Sequence, residues 1–527
     1  MKTNKFLLTG MLLSAMAFTG CTESFLEVDK PDGDNLDTYY TNQEHIEEAV
    51  IAAYDPIHWH DWGLGQYNAY NICADIMSDD VYVGGANYDD MKHWHMLADF
   101  VGNGDNTLGT LWTIDYSGIK RCNDALFYMD NYAAGKLSSE YEAKARAQVR
   151  AMRVYYYNNL WHYFGNIPFY LQNLGEPPYT APQLSADEVY NKLIVELEEV
   201  LASDVLPMKW DNANAGRVSQ AMAIMMYAEM VAYQNDESRF SKALTYLKAI
   251  IGSGLYDLFP NFKDYWDTAN EWNQESIWEI NYDKDITERD WGDAALNIGG
   301  MVIPTLISPN QYPGDDEWGA GQDGWGFMPI RKAVKTLLAG DNRLAGTVWE
   351  PTLAYTKRNA DTGLWLQKYR PYEKNNKPAV SSANLNYSNN FRYYRYSETL
   401  LYAAEFAVRT GADQTSADQW VTKVRQRAGL GAISGVTIDN ILTERHKEFI
   451  GEGKRYFDLV RAEGIAGVSA QNKATGALVP LDPATEGVAA DAAIRTRAWT
   501  ANKKYIPIAQ AELDSDPELK QNTAYFQ

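Results

Sequence analysis

Apolar residues recur at spacings of three and four along much of the chain, the period of a helix with one buried face. The first run begins near Asn42 with Ile46, Ala49, Val50, Ala53 and Tyr54, and Pro56 ends it. Runs over 111–132 and 139–163 follow, the second carrying Ala143, Ala147, Val149, Ala151, Val154 and Tyr157 before Gly165. Ser185-Ala186-Asp187-Glu188 has the form of a capping box opening a helix over 189–201. The next run, over 218–233, is paired with one over 238–251 that carries Phe240, Ala243, Leu244 and Leu247 on one face. Paired helices recurring about every 34 residues, with small Ala at packing positions, resemble tetratricopeptide units. Helical pattern returns over 397–410, 416–428, 437–451 and 455–461. The fold class expected is therefore mainly α: a tetratricopeptide-like repeat scaffold built from about 38–55, 111–251 and 397–461.

Between these runs the period is lost. Residues 56–110 are rich in Trp, Tyr, Gly, Asn, Asp and His, and residues 255–390 in Gly, Asn, Asp, Pro and Trp. Unpatterned stretches of this length are more often functional than idle. They are expected to form loop-rich binding regions of a single domain over 38–527.

The N-terminus reads as targeting rather than fold. Lys2 and Lys5 precede an apolar run from Phe6 to Phe18, too short for a membrane-spanning helix, and Thr19-Gly20-Cys21 follows. A small-residue pair before Cys resembles a lipobox, although Phe18 stands where Leu is usual. Residues 1–20 are thus expected to be a signal peptide, and 21–37 a lipidated Cys21 with its tether. Cys73 and Cys122 are read as structural thiols, because two cysteines do not make a disulfide framework.

Composition narrows the partners. The 527 residues hold 47 Lys+Arg against 70 Asp+Glu, a formal charge of −23, which argues against nucleic acid and against an electrostatic hold on anionic lipid. Trp (16) and Tyr (36) far outnumber Phe (16), so rings with polar edges exceed what a core needs, and some should face solvent or a ligand.

The candidate chemistry is sparse. Carboxylate pairs such as Asp79-Asp80, Asp89-Asp90 and Asp315-Asp316 arise readily in so acidic a chain and single out no glycosidase centre. His58-Trp59-His60 and His93-Trp94-His95 would each offer two imidazoles to a metal if extended, but a third ligand at metal-site spacing is missing. Gly319 to Gly324 satisfies GxGxxG in an acidic loop, without the strand and helix a dinucleotide site requires. What remains is the aromatic loops, where Trp faces can stack on sugar rings while Asn, Asp, Gln and Arg take the hydroxyls. Helix-borne Tyr156, Tyr157, Trp161 and Tyr163 are read as core.

Several motifs then carry a resemblance. Phe25-Leu26-Glu27 follows the lipidation cysteine, and Arg121-Cys122-Asn123-Asp124-Ala125-Leu126 matches an RxNxAL pattern. Residues 147–168 read AQVRAMRVYYYNNLWHYFGNIP, 395–405 read RYSETLLYAAE, and 424–430 give VRQRAGL. Glu444-Arg445-His446-Lys447-Glu448-Phe449 precedes Glu452-Gly453-Lys454-Arg455-Tyr456-Phe457-Asp458-Leu459, and Ile506-Pro507-Ile508 with Asn522 closes the series. In this order the motifs resemble the SusD/RagB family of outer-membrane lipoproteins over the whole chain. Arg395, Glu398, Glu405, Arg425, Glu444, Arg445, Glu448 and Arg455 sit at spacings suited to buried ion pairs between stacked helices, a scaffold role.

The resemblance implies a non-catalytic, cell-surface protein, lipid-anchored in the outer membrane. Such a protein captures an oligosaccharide or polysaccharide and acts as the lid of a SusC-like TonB-dependent transporter. Peptide capture within the family and a surface glycoside hydrolase are the alternatives. Family sites stack ligand on aromatics of the early loop and the central loop-rich region. By position and chemistry the glycan-binding candidates are Trp59, Asp61, Trp62, Asn68, Asp80, Trp94, Trp291 and Trp318, with no cofactor, metal or catalytic residue. Trp325 is set aside as part of a structural Gly-Trp-Gly element.

Overall fold

A computed structural model describes residues 35–291, 299–314, 324–377, 380, 382–491 and 495–526. The scaffold helices are α1 (Gln43–Tyr54), α2 (Gly109–Asn131), α3 (Ser139–Phe164), α4 (Ala186–Ala202), α5 (Gln220–Gln234) and α6 (Phe240–Gly252). After the central region come α7 (Tyr396–Thr410), α8 (Gln414–Arg427), α9 (Ile438–Phe449) and α10 (Arg455–Arg461). Local chemistry sets their ends. Asn42 and Ser138 accept from backbone N–H groups at the starts of α1 and α3, Ser185 and Glu188 form the expected capping box on α4, and Gly411 ends α7 in the left-handed region.

The helices pack as a continuous series, each on its predecessor from α1 to α8, with α9 on α7 and α10 on α5. α5 begins 34 residues after α4, the repeat length read from the sequence. The α2–α3 contact is close because Gly118 faces the Tyr156 ring, where a Cβ would lie 2.4 Å from the ring carbons. α6 packs on α7, so the long central region leaves the stack and returns to it without breaking it. Among the described residues no helix is long and apolar enough to cross a membrane.

Strands are short. β1 (Ile167–Pro168) pairs with β2 (Gln183–Leu184), β3 (Ser276–Ile280) with β6 (Phe391–Arg395), and β4 (Val348–Trp349) with β5 (Trp365–Leu366), all antiparallel. β3 and β6 bracket the central region and are buried throughout, Trp278 lying edge-on to Tyr155 of α3 and to Tyr393. The C-terminal motifs dock on the end of α3, where Ile506 N donates to Tyr163 O and Asn522 Nδ2 to Phe164 O.

The charged motif residues meet in two buried clusters, one around Arg395 and one around Arg445. Arg395 reaches Glu275 (2.6 Å), Glu448 (2.9 Å) and Glu452 (2.8 Å), while Arg343 reaches Glu444 (2.7 Å) and Glu448 (3.0 Å). Arg445 pairs with Glu398 and Asp458, Arg461 with Glu405, and Arg425 with Glu444. Burial pushes the Glu448 carboxyl up, but Arg427, Arg395 and Arg343 outweigh it and hold the group well below the usual carboxylate range. Glu275 and Arg343 belong to the central region, so the Arg395 cluster fixes that region to the helices.

Two expectations change. The early region is not all loop: it contains helices Tyr70–Asp75 and Lys92–Ala98. In the second of these, His93 and His95 stand about 200° apart instead of side by side, which removes the paired presentation of an extended segment. His60 Nε2 bonds Asp115 Oδ1 at 3.0 Å and His58 Nδ1 lies 3.3 Å from Asp55 O. Cys73 and Cys122 are buried free thiols.

Candidate functional site: an aromatic platform between two loops

The early and central loops converge on four rings. Gly63 and Gln66 exchange backbone hydrogen bonds (3.0 and 3.1 Å) across a two-residue turn, with Leu64 at φ +53° and Gly65 at φ +84°. Two left-handed residues in succession make the tight hairpin turn that brings strand ends together. A left-handed leucine costs about 1 kcal/mol, a strain found where a loop is shaped for a purpose. The turn sets Trp62 and Tyr67 on its two arms, ring centroids 6.2 Å apart and 24° from parallel.

Trp291 meets Trp62 edge-on (4.8 Å, 67°) and stacks on Trp325 (5.7 Å, 30°), and Trp325 meets Tyr67 edge-on (5.7 Å, 67°). The four rings thus close on one another. Trp62 is buried at their base, Tyr67 and Trp325 are half-buried, and Trp291 is 44% exposed. Burial pushes the Tyr67 phenol up, with the nearby Asp61 carboxylate adding to it.

Arg289 and Asp61 hold the loops together. Arg289 Nη1 donates to both Asp61 oxygens (2.9 and 2.8 Å) and to Gly300 O, Nη2 donates to Trp62 O (2.7 Å), and the guanidinium lies 5.7 Å from the Trp62 ring centre. Asp61 also accepts from its neighbour's N–H at Trp62 and from Val302 N. The Arg289 backbone is fixed in turn by Asn386, whose amide oxygen accepts from Arg289 N and whose Nδ2 donates to Arg289 O. Two residues on, Trp291 N donates to Asp290 Oδ1, which also accepts from Ser382 Oγ.

Trp325 is held by its flanking glycines. A Cβ at Gly324 would lie 2.4 Å from Ser308 O, and Gly326 has φ +77°, while Trp325 O accepts from Arg358 Nη1 at 3.0 Å. The Gly-Trp-Gly element is structural in its glycines, but its tryptophan ring is displayed. Trp325, set aside in the sequence, thus lies among the four rings, and so does Tyr67, which the sequence reading passed over. Its signal was present: a lone aromatic two residues beyond a Leu-Gly turn, on the arm opposite a tryptophan.

The remaining candidates are placed elsewhere. Trp59 is buried under Arg121, whose guanidinium lies 5.0 Å from its ring, and Asn68 is buried against Thr110. Trp94 is 0% exposed and edge-on to Phe327, because its helix turns it inward. Asp61 is wholly engaged by the loop clasp. Asp80 is buried and accepts from His446 Nε2 at 2.6 Å on α9, beside Asp79, which binds Arg455 of α10 through both oxygens. Burial raises Asp79, but Arg455 outweighs it and leaves the carboxyl low. Asp79, Asp80 and His446 bring three ligand atoms within 4.8 Å of one another, yet the first and last of these side chains serve partners already. Trp318, Asp315, Asp316 and Cys21 lie outside the described residues.

The model of the SusD family matches residues 339–525. The chain is 56% identical to surface glycan-binding protein A from Bacteroides uniformis, covering 92% of this chain and 99% of that one with a TM-score of 0.83. It is 44% identical to surface glycan-binding protein A from Bacteroides thetaiotaomicron in complex with laminarihexaose, covering 92% and 100% with a TM-score of 0.82. The starch-binding protein SusD of Bacteroides thetaiotaomicron is 24% identical over 371 residues, 60% of this chain and 64% of that one. Motif series, helical stack and relatives together show that the chain belongs to the SusD family.

Proposed function

We propose that this chain is a non-catalytic glycan-binding protein that takes laminarihexaose-like oligosaccharides on the Trp62–Tyr67–Trp291–Trp325 platform. The observation that carries this is Trp291, a large ring left 44% exposed yet clamped edge and face by two other tryptophans. Rigid, pre-placed rings bind sugar faces without an ordering cost. The likeness to a glycan-binding protein solved with laminarihexaose supports the ligand class. A glycosidase would need two carboxylates, one free to donate a proton, and Asp61 at the base of the platform is committed to Arg289. In this reading the chain sits on the outer membrane through lipid on Cys21 and passes glycan to a TonB-dependent transporter.

Calorimetry of the lipid-free protein against laminarihexaose and starch oligosaccharides, with Trp291→Ala and Trp325→Ala alongside, tests the platform. Loss of about 1–2 kcal/mol in each variant, roughly five- to thirtyfold in affinity, is expected for anchor rings. Laminarihexaose affinity untouched by both changes would remove the site, and release of shorter sugars would restore the hydrolase.

A further inference from the structure

A second concave surface lies on the helical base. A groove of about 580 Å³ runs between α2, the loop 168–181 and the helix Gln510–Ser515. Its size falls in the range of small-ligand sites, about 300–1,000 Å³. The Trp112, Tyr116 and Tyr170 rings line it, with Trp112 and Tyr116 5.0 Å apart and Tyr116 and Tyr170 within 14° of parallel at 6.0 Å. The Tyr116 hydroxyl donates to Pro168 O at 2.7 Å, which locks that ring against the loop. At the rim, Tyr179 is 59% exposed, and the half-buried Glu512 carboxylate accepts a long hydrogen bond, 3.5 Å, from Thr113 Oγ1. Burial raises the Glu512 carboxyl, consistent with an acceptor short of partners.

One face of α2 runs from the early loop to the groove. Gln66, next to Tyr67, accepts from Thr110 N and Thr110 Oγ1 at the start of α2. Thr110, Thr113, Ser117 and Lys120 then follow at three- and four-residue spacing on one face of that helix, and the last three line the groove. From Thr110 to Ser117 is about 10 Å along the axis.

We propose that the groove is a second glycan site, which holds a neighbouring segment of a long chain against the half-buried Tyr116 and Tyr170 rings, with buried Trp112 beneath them, while the platform holds another. Ring faces bordered by hydroxyls and a carboxylate acceptor are the surface a pyranose fits, apolar on its CH face and hydrogen-bonding at its edge. Two linked sites raise the affinity for a polymer over that for an oligomer by effective concentration.

The inference rests on the platform reading, and the test separates the two. Affinities for laminarihexaose and for polymeric laminarin are measured on the wild type, on Tyr179→Ala/Glu512→Gln, and on Thr113→Arg, which fills the groove mouth from an exposed helix position. Both variants are expected to lose about three- to tenfold in affinity for the polymer while binding the hexasaccharide as the wild type does. In a Trp291→Ala background, residual binding of the polymer is expected to vanish when Thr113→Arg is added. Wild-type affinity for laminarin in both groove variants, with glycan still bound, overturns the groove and leaves the platform standing. A wild type that binds neither sugar overturns both. Displacement of an apolar peptide from the groove without any effect on laminarin also overturns it.

Discussion

Arg289 does for the platform what a disulfide does for a small domain, joining two loops that are distant in sequence. Both charges are buried, so the pair is costly to break from one side. Arg289→Gln leaves Asp61 uncompensated and is expected to cost about 3–5 kcal/mol in urea unfolding, with glycan affinity falling as Trp62 and Trp291 lose register. Replacing both members with apolar residues is expected to recover much of the stability but not the affinity, a split that a role in stability alone would not give. Trp291→Ala has the opposite profile: a loss of affinity and a stability loss of only about 1 kcal/mol, because the ring is 44% exposed and gives up its contacts with Trp62 and Trp325. At this scale the sequence was legible only in part. Trp62 and Trp291 could be selected as loop tryptophans, but what separates Trp62 from the equally buried Trp59 and Trp94 is its ring neighbours, Tyr67 and Trp291 against Arg121 and Phe327, and those contacts join parts far apart in the chain.

Elements were easier to read, because caps and period are local. Ser185, Gly165 and Pro56 mark α4, α3 and α1 at the positions where those helices start or stop. The helix Lys92–Ala98 was missed, since it is seven residues long and starts from Met91 in the left-handed region without a side-chain cap. Its histidines have a consequence for pH. Burial lowers His93 and His95 to about 4, and burial lowers His162 of α3 to about 3, against an ordinary value of 6.5. The unfolded chain therefore binds more protons than the folded one below pH 6.5, so this contribution is full above 6.5 and is lost as pH falls toward 4. Glu271, raised to about 7 by burial, contributes in the opposite direction over pH 4.5–7. His162→Gln is expected to flatten the fall in urea midpoint between pH 6.5 and 4, because each pH unit between the folded and unfolded titrations of a buried histidine is worth about 1.4 kcal/mol. A midpoint whose pH dependence is unchanged in that variant would contradict the assignment. The ion pairs belong to this scale too: Arg395→Met takes away the guanidinium that Glu275, Glu448 and Glu452 share, leaving them to Arg427, Arg343 and Lys368 in a buried excess of negative charge, and a loss of about 3 kcal/mol is expected by urea unfolding.

In the whole molecule, the helical stack is a base and the central region is a surface carried on it. β3 and β6, the Arg395 network and the Arg289–Asp61 pair fasten that surface at separate points, so the platform rings are placed before any ligand arrives. The surplus of tryptophan and tyrosine divides accordingly: most rings fill the stack and the strand junction, and a few are presented. Which few could not be read from composition, because display depends on how two loops more than 200 residues apart meet, as Asp61 and Arg289 do. The most direct measurement is a crystal structure of the lipid-free protein with laminarihexaose. A pyranose face stacked on the exposed side of Trp291 and in contact with Trp325 or Tyr67 is the expected result. A sugar bound away from these rings, with the platform empty, would contradict the central claim.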